Sequence, residues 1–309
     1  VAFTPDISVA IILVNWNGLK FTRACLASLK KVDFPNFRVI VVDNASEGNE
    51  GQILEAEFPE VLLIQSKENL GFTGGNNLGI RKALEMGFSH LMLLNNDTEV
   101  EADFLGNMVL KIKESKRIGV VQPLICFLDK PQKIWSAGGR WNSLFSRAIT
   151  LKDRKNLEDF SLSDRKLDWA TGCCMLLSKE AILDAGLLHE QYFAYFEDVE
   201  WSLRFREKDY EIHLASQAKI YHEAGASSKQ KHAEGTLSPR VFYFHVRNQF
   251  YLIRSKNQFP IFAYGYHSAR FSIWMIYFLI RGRFQKLKAV AKGIKDGLST
   301  ELKPAPQWP

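Results

Sequence analysis

The chain has 309 residues, 46% apolar and 24% charged, which is enough to bury a sizeable core and too hydrophobic for a disordered chain. Its formal charge of +6 is unevenly spread: ten basic and two acidic side chains fall from Arg254 onward, a surplus of +8 that leaves about −2 on the first 253 residues. That distribution argues against a nucleic-acid-binding core. The four cysteines, Cys25, Cys126, Cys173 and Cys174, lack paired metal-ligand spacing and read as small buried residues of a reducing compartment.

Four short β-rich apolar runs come first: ISVAIILV (7–14), FRVIVVD (37–43), VLLIQ (61–65) and HLMLLN (90–95). Strands buried on both faces read this way. Helical patterns separate them, Leu19–Lys30, Gly51–Phe58 and Gly74–Met86. The alternation predicts βαβ units in a mostly parallel sheet covered by helices. Each strand then gives way to polar residues: Asn15 and Asn17, Asp43 to Ser46, Asn69, and Asn95 to Asp97. Ligands of open α/β sheets bind beyond the carboxyl ends of the strands, and one ligand edge explains the pattern better than four unrelated turns.

Past Asp97 the pattern loosens. A helix is expected over Asp103–Ser115, a strand over 118–128, and a polar, substrate-facing excursion over Lys130–Lys166. TGCCMLLSKEAILDAG (171–186) reads as a strand and a helix ending near Gly186, DVEWSLRFREKDY (198–210) as a short helix, and EIHLASQAKIYH (211–222) as a strand. Pro239–Ser255 is a further helix, with Arg240, Arg247 and Asn248 available to face a site. In the apolar Phe259–Ile280 stretch the uninterrupted core, FSIWMIYFLI, is ten residues long. A bilayer span takes about 20. With RGRFQKLKAVAKGIK following, the region is either a basic, aromatic hairpin on an anionic membrane surface or an amphipathic element packed on the rest.

Three constellations carry chemistry, each with a plainer alternative. Asp43, within VVDNAS, can accept the imide N–H of a pyrimidine base or simply cap the next helix. NLGFTGGNN (69–77) is a glycine-rich turn into a helix, suited to close backbone approach and to an anion, although its glycines fit neither G-x-G-x-x-G nor the P-loop. In YFAYFEDVEW (192–201) Glu197 and Asp198 sit among five aromatics, surroundings that raise a carboxyl pKa toward general-base work. There the alternative is Asp198 as a helix N-cap. A lone His222 at a strand end is structural unless something places it beside Asp97.

In this order, VNWNG, VVDNAS, NLGFTGGNN, LLNNDTEV, TGCCMLLSKEA, YFEDVEWSLRFR and YH resemble the family 2 glycosyltransferases of the GT-A fold, closest to the bacterial rhamnosyltransferase-like branch, over about Ile7 to His222. The resemblance implies a Rossmann-like α/β sheet forming a catalytic domain over 1–235, with a nucleotide-sugar half (1–98) and an acceptor half (99–235). Residues 236–309 would form a helical, basic appendage. It implies that Val14, Asn15, Asn17, Asp43, Asn44, Asn69, Gly71, Phe72, Gly74, Asn76, Asn95 and Asn96 surround a nucleotide-sugar, dTDP-rhamnose first and a UDP-sugar next. It places Mg²⁺ or Mn²⁺ at Asp97, with His222 joining in some members. It makes Asp198 the base of an inverting transfer, with Glu197 beside it. Trp169, Thr171, Gly172, Tyr195, Glu197 and Arg204 would meet a glycan or lipid-linked acceptor. Asn95 departs from the usual D-x-D motif, leaving a site with fewer charges.

Two other readings compete. A sugar nucleotidyltransferase would carry a glycine-rich, Arg/Lys-bearing loop after the first strand, where this chain has NWNGLK; a silent binding module would not be expected to keep both Asp97 and Asp198. NAS at Asn44 and NDT at Asn96 match the glycosylation pattern, but a glycan there would block the site, and no basic-then-apolar segment opens the sequence. The expected placement is cytoplasmic, peripheral at the inner face of the cell membrane if the C-terminal region binds lipid.

Overall fold

A computed structural model describes residues 7–159, 163–223, 234–257 and 259–308. Along the chain run β1 (Val9–Asn15), α1 (Leu19–Leu29), β2 (Phe37–Asp43), α2 (Glu50–Glu57), β3 (Leu62–Gln65), α3 (Gly71–Glu85), β4 (His90–Leu94) and β5 (Thr98–Val100). Then come α4 (Phe104–Lys113), β6 (Ile118–Phe127), β7 (Ile134–Ser136), β8 (Gly139–Asn142), β9 (Arg147–Thr150), β10 (Arg165–Leu167), β11 (Cys174–Ser178) and α5 (Lys179–Ala185). The order closes with α6 (Glu197–Glu207), β12 (Glu211–His222), α7 (Pro239–Lys256), α8 (Pro260–Ile280) and α9 (Phe284–Ser299).

The apolar runs form the centre of one sheet, ordered β10-β12-β6-β11-β4-β1-β2-β3. β3, β2, β1 and β4 are parallel neighbours, as crossover helices require. Beyond β4 the sheet becomes mixed. β11 runs antiparallel to both β4 and β6, while β6 and β12 are parallel to each other. The sheet is thus parallel over its first four strands and mixed beyond them, within the mostly parallel sheet expected. Alternate side chains fill two cores, one on each face: Ile11, Leu13, Val41 and Met92 on one, Ala10, Ile12, Val42 and Leu93 on the other.

Parallel register sets up the site. It aligns Asn15 with Asp43 and Asp43 with Gln65, so three polar strand ends lie side by side. The 130–166 excursion supplies β7, the β8–β9 hairpin and β10. The last three helices share a core of their own, including Val246, Phe250, Phe271 and Val290. They and the tail that follows are also fastened to the sheet-bearing part of the chain: His267 Nε2 and the Phe145 carbonyl are 2.9 Å apart, and Leu187 N donates to the Pro306 carbonyl at 2.8 Å. Among the described residues no helix is long and apolar enough to cross a membrane. All four cysteines are free and buried.

Candidate active site

At the parallel edge Asn15 is fully buried and donates from Nδ2 to Asp43 Oδ1 (3.0 Å) and Glu50 Oε2 (2.9 Å). Thr22 donates to Asn15 Oδ1 and accepts from Asn96 Nδ2, which links this edge to the β4 end. Asp43 is 1% exposed, and Gln65 donates to its second oxygen. An imide N–H would therefore use a remaining carboxylate lone pair or displace Gln65. Asp43 does not act as a side-chain cap: α2 starts seven residues later, with Asn49 at its N-cap. Asn17 Oδ1 accepts from Glu47 N.

The glycine-rich segment differs from its expected form, because α3 begins at Gly71 rather than Gly74. Its glycines thus lie inside the first helical turns and permit close packing: a methyl on Gly75 would come 2.9 Å from the Val14 side chain, and one on Gly74 would press on Leu70. Gly71, at φ +72°, is backed by the Phe193 carbonyl. Asn44 donates to Asn69 Oδ1 and the Gly71 carbonyl and accepts from Leu70 N, stitching the β2 end to this helix. Asn76 turns its amide back to Phe72 O.

The loop Thr171–Cys173 joins the two halves. Asn95 N donates to Cys173 O (2.8 Å) and Gly172 N donates to Asp198 Oδ2 (3.0 Å). Phe72 packs against Gly172, where a methyl would lie 2.9 Å from Phe72 Cζ. On the β4 side of this loop Asp97 Oδ1 and His222 Nε2 are in ion-pair contact at 3.1 Å. β5 pairs with β12, which brings His222 opposite Thr98 and so beside Asp97. Burial opposes the His222 imidazolium, but the Cys173 sulfur and the Asp97 carboxylate outweigh it and raise its pKa.

Asp97 Oδ1 and His222 Nδ1 are nevertheless buried without hydrogen-bond partners. A buried carboxylate in contact with an imidazole offers oxygen and nitrogen donors that suit a divalent cation. Among the described residues no three His, Cys, Asp or Glu side chains cluster for a metal. The protein offers two ligands, as Mg²⁺ and Mn²⁺ sites completed by phosphate and water commonly do. The residues fit.

Glu197 and Asp198 open α6, whose N-cap is Phe196 at φ +67°, not Asp198. Phe193, Tyr195 and Phe196 all adopt left-handed backbone, at about 1–3 kcal/mol each for non-glycine residues. Asn248 of α7 holds that segment by donating to the carbonyls of Tyr192, Ala194 and Tyr195, and Arg247 donates to those of Gln191 and Tyr192. These two residues, expected to face a ligand, hold the loop instead. Burial raises both carboxyl groups, and Glu197 is raised further by the Asp198 charge; backbone N–H groups of Gly172 and Val199 partly counter the rise at Asp198. The pair therefore ionises first at Asp198.

A cavity of about 540 Å³ opens before these carboxylates. Trp169, Thr171 and Tyr195 line it, and Gly172 reaches it only through its hydrogen bond to Asp198. Arg204 is a correction: its guanidinium is spent on Glu200 and the carbonyls of Ala185 and Leu187, away from the cavity. Sequence reasoning missed Arg147, His245, Gln249, Tyr266 and Arg270, which line the same space from the hairpin, α7 and α8. No local pattern marks them, since only tertiary packing brings them there. Gln65 was also missed, although parallel register, which sets it beside Asp43, could have found it.

The family model for glycosyl transferase family 2 matches residues 10–184. The chain belongs to that family. It is 26% identical over 205 residues to the low-salt glycan biosynthesis hexosyltransferase Agl10 of Haloferax volcanii, covering 66% of this chain and 63% of that protein. It is 24% identical over 261 residues to the dTDP-rhamnosyl transferase RfbF of Shigella flexneri, covering 82% of each. Residues 1–349 of S. aureus TarS, in complex with UDP-GlcNAc, share the fold at a TM-score of 0.57 and 18% identity, over 94% of this chain and 81% of that one. The family 2 chain thus has the GT-A architecture that its ordered motifs imply.

Proposed function

We propose that this family 2 chain transfers a sugar, with inversion, from a nucleoside-diphosphate sugar to a hydroxyl of a glycan or lipid-linked acceptor. The observation that carries the reading is the Thr171–Cys173 loop, which ties the Asn95–Asp97 edge to Asp198: its Cys173 carbonyl accepts from Asn95 N and its Gly172 N–H donates to the Asp198 carboxylate. A donor laid along Asn15, Asp43 and the α3 N-terminus would bring its diphosphate to Asp97 and its anomeric carbon toward Asp198. The likeness to RfbF supports dTDP-rhamnose as first donor, with a UDP-sugar next.

Asp198 takes the proton of the acceptor hydroxyl as that oxygen bonds to the anomeric carbon from the face opposite the diphosphate, and the bond to the diphosphate breaks. Burial and its neighbour's charge push the Glu197 carboxyl well up, which opposes a second negative charge on the pair. A divalent cation on Asp97 and His222 would supply charge neutralisation to the departing diphosphate. Trp169, Thr171 and Tyr195 orient the acceptor. The exposed apolar side of α8 and the basic residues after it support seating on an anionic membrane surface.

Asp198→Asn tests this. Transfer should fall by roughly two to four orders of magnitude while calorimetric affinity for the nucleotide stays unchanged. Wild-type turnover in the variant would move the base to another residue.

A further inference from the structure

The cavity before Asp198 is lined by side chains of both charges, Glu197 and Asp198 on one hand and Arg147 of β9 and Arg270 of α8 on the other. Arg147 lies over the Tyr266 ring, with Cζ 5.2 Å from its centroid, and Arg270 over Trp274 at 4.9 Å. Stacking fixes the guanidinium planes and leaves their N–H donors for a ligand. Among the described residues neither guanidinium has an ion pair or a hydrogen-bonded acceptor. Nearby His245 adds no third positive charge: burial, reinforced by Arg270, pushes its pKa down to about 4. Burial likewise opposes the charge on Arg270, and Arg147 adds to that opposition although Tyr266 counters it. Two like charges drawn together on one cavity, neither paired among the described residues, mark a place for an anion.

We propose that Arg147 and Arg270 form a subsite for a phosphate or diphosphate group carried by the acceptor, presented together with the hydroxyl that Asp198 deprotonates. This rests on the transferase reading of the cavity and names its acceptor class. Two guanidiniums match the planar, multidentate recognition that phosphate oxygens offer. The bearer of the phosphate is either a lipid or a soluble glycan. α8 turns Tyr266 and Arg270 toward the cavity while exposing Ile273, Ile276 and Ile280, so a lipid chain would have an apolar surface to follow.

The test is calorimetric titration of the full chain with inorganic pyrophosphate, farnesyl diphosphate and farnesol, after saturation with Mn²⁺ and whichever of UDP or dTDP binds. Both diphosphates should bind and farnesol should not. Arg147→Gln and Arg270→Gln should each weaken binding at least tenfold, Arg270→Lys should restore part of it, and Lys288→Gln on the outer face of α9 should change nothing. Tighter binding of farnesyl diphosphate than of pyrophosphate assigns the phosphate to a lipid; equal binding assigns it to a soluble glycan. Diphosphate binding unchanged in both glutamine variants, or absent from the wild-type chain, overturns the subsite. Nucleotide affinity is a separate readout: its absence overturns the transferase reading, while the arginine contrast with pyrophosphate still decides the subsite.

Discussion

At the scale of single residues the site turns on two adjacent carboxyls with unequal support. Asp198 receives the Gly172 and Val199 N–H groups, whereas Glu197 Oε2 is buried without a partner. A base must be ionised to work, and burial raises Asp198, so activity should be lost as pH falls through a value above the ordinary aspartate pKa of about 3.9. A pH profile of kcat/KM checks this, and an acid limb at or below 4 would contradict a buried base. Asp97 and His222 show how far sequence carries at this scale. Their separate motifs gave each a candidate role, but only the pairing of β5 with β12 puts His222 Nε2 3.1 Å from Asp97. Arg204 shows the opposite: a cationic side chain beside the acidic motif looks like a ligand contact until its donors are counted.

At the scale of elements, close helix approach depends on glycine. In α9 a methyl on Gly293 would sit 2.8 Å from the Tyr243 carbonyl of α7, and one on Gly297 would sit 2.9 Å from the Arg247 carbonyl. Alanine gains about 1 kcal/mol of helix propensity over glycine. Overlap with a backbone carbonyl that cannot turn aside costs about 1–3 kcal/mol. The overlap should win, so Gly293→Ala should lower the urea midpoint; an unchanged or higher midpoint would mean that α7 and α9 do not touch there. The first four strands and the helices between them were legible because their signal is local, an apolar run of four to seven residues closed by polar ones. The mixed half was not. β11 enters antiparallel between β4 and β6, and no periodicity in a buried strand reports its direction. The early start of α3 escaped notice for a related reason: glycine signals a turn by propensity, and here tertiary contact with Phe193 overrides it.

Across the whole molecule the surface is strongly divided. Ile261, Ile273, Ile276, Leu279 and Ile280 of α8 are more than half exposed, and Lys288, Lys292 and Lys295 line the open side of α9. The full chain should therefore co-sediment with phosphatidylglycerol vesicles more than with phosphatidylcholine vesicles, and less so in high salt. Ile276→Asp should release it without altering nucleotide affinity. Equal recovery on both lipids would leave the lysines as solvated charge.

The tail after α9 gives this arrangement a mechanical side. Glu301 and Lys303 bond to Gln191, the Lys303 carbonyl meets His189, and the Pro306 carbonyl receives Leu187 N, all just upstream of the strained turn that leads into Glu197. The same turn is gripped from its other side by Asn248. α7 and the tail after α9 are thus both anchored on the segment that leads into Glu197 and Asp198. A tug on those helices would bear directly on that turn.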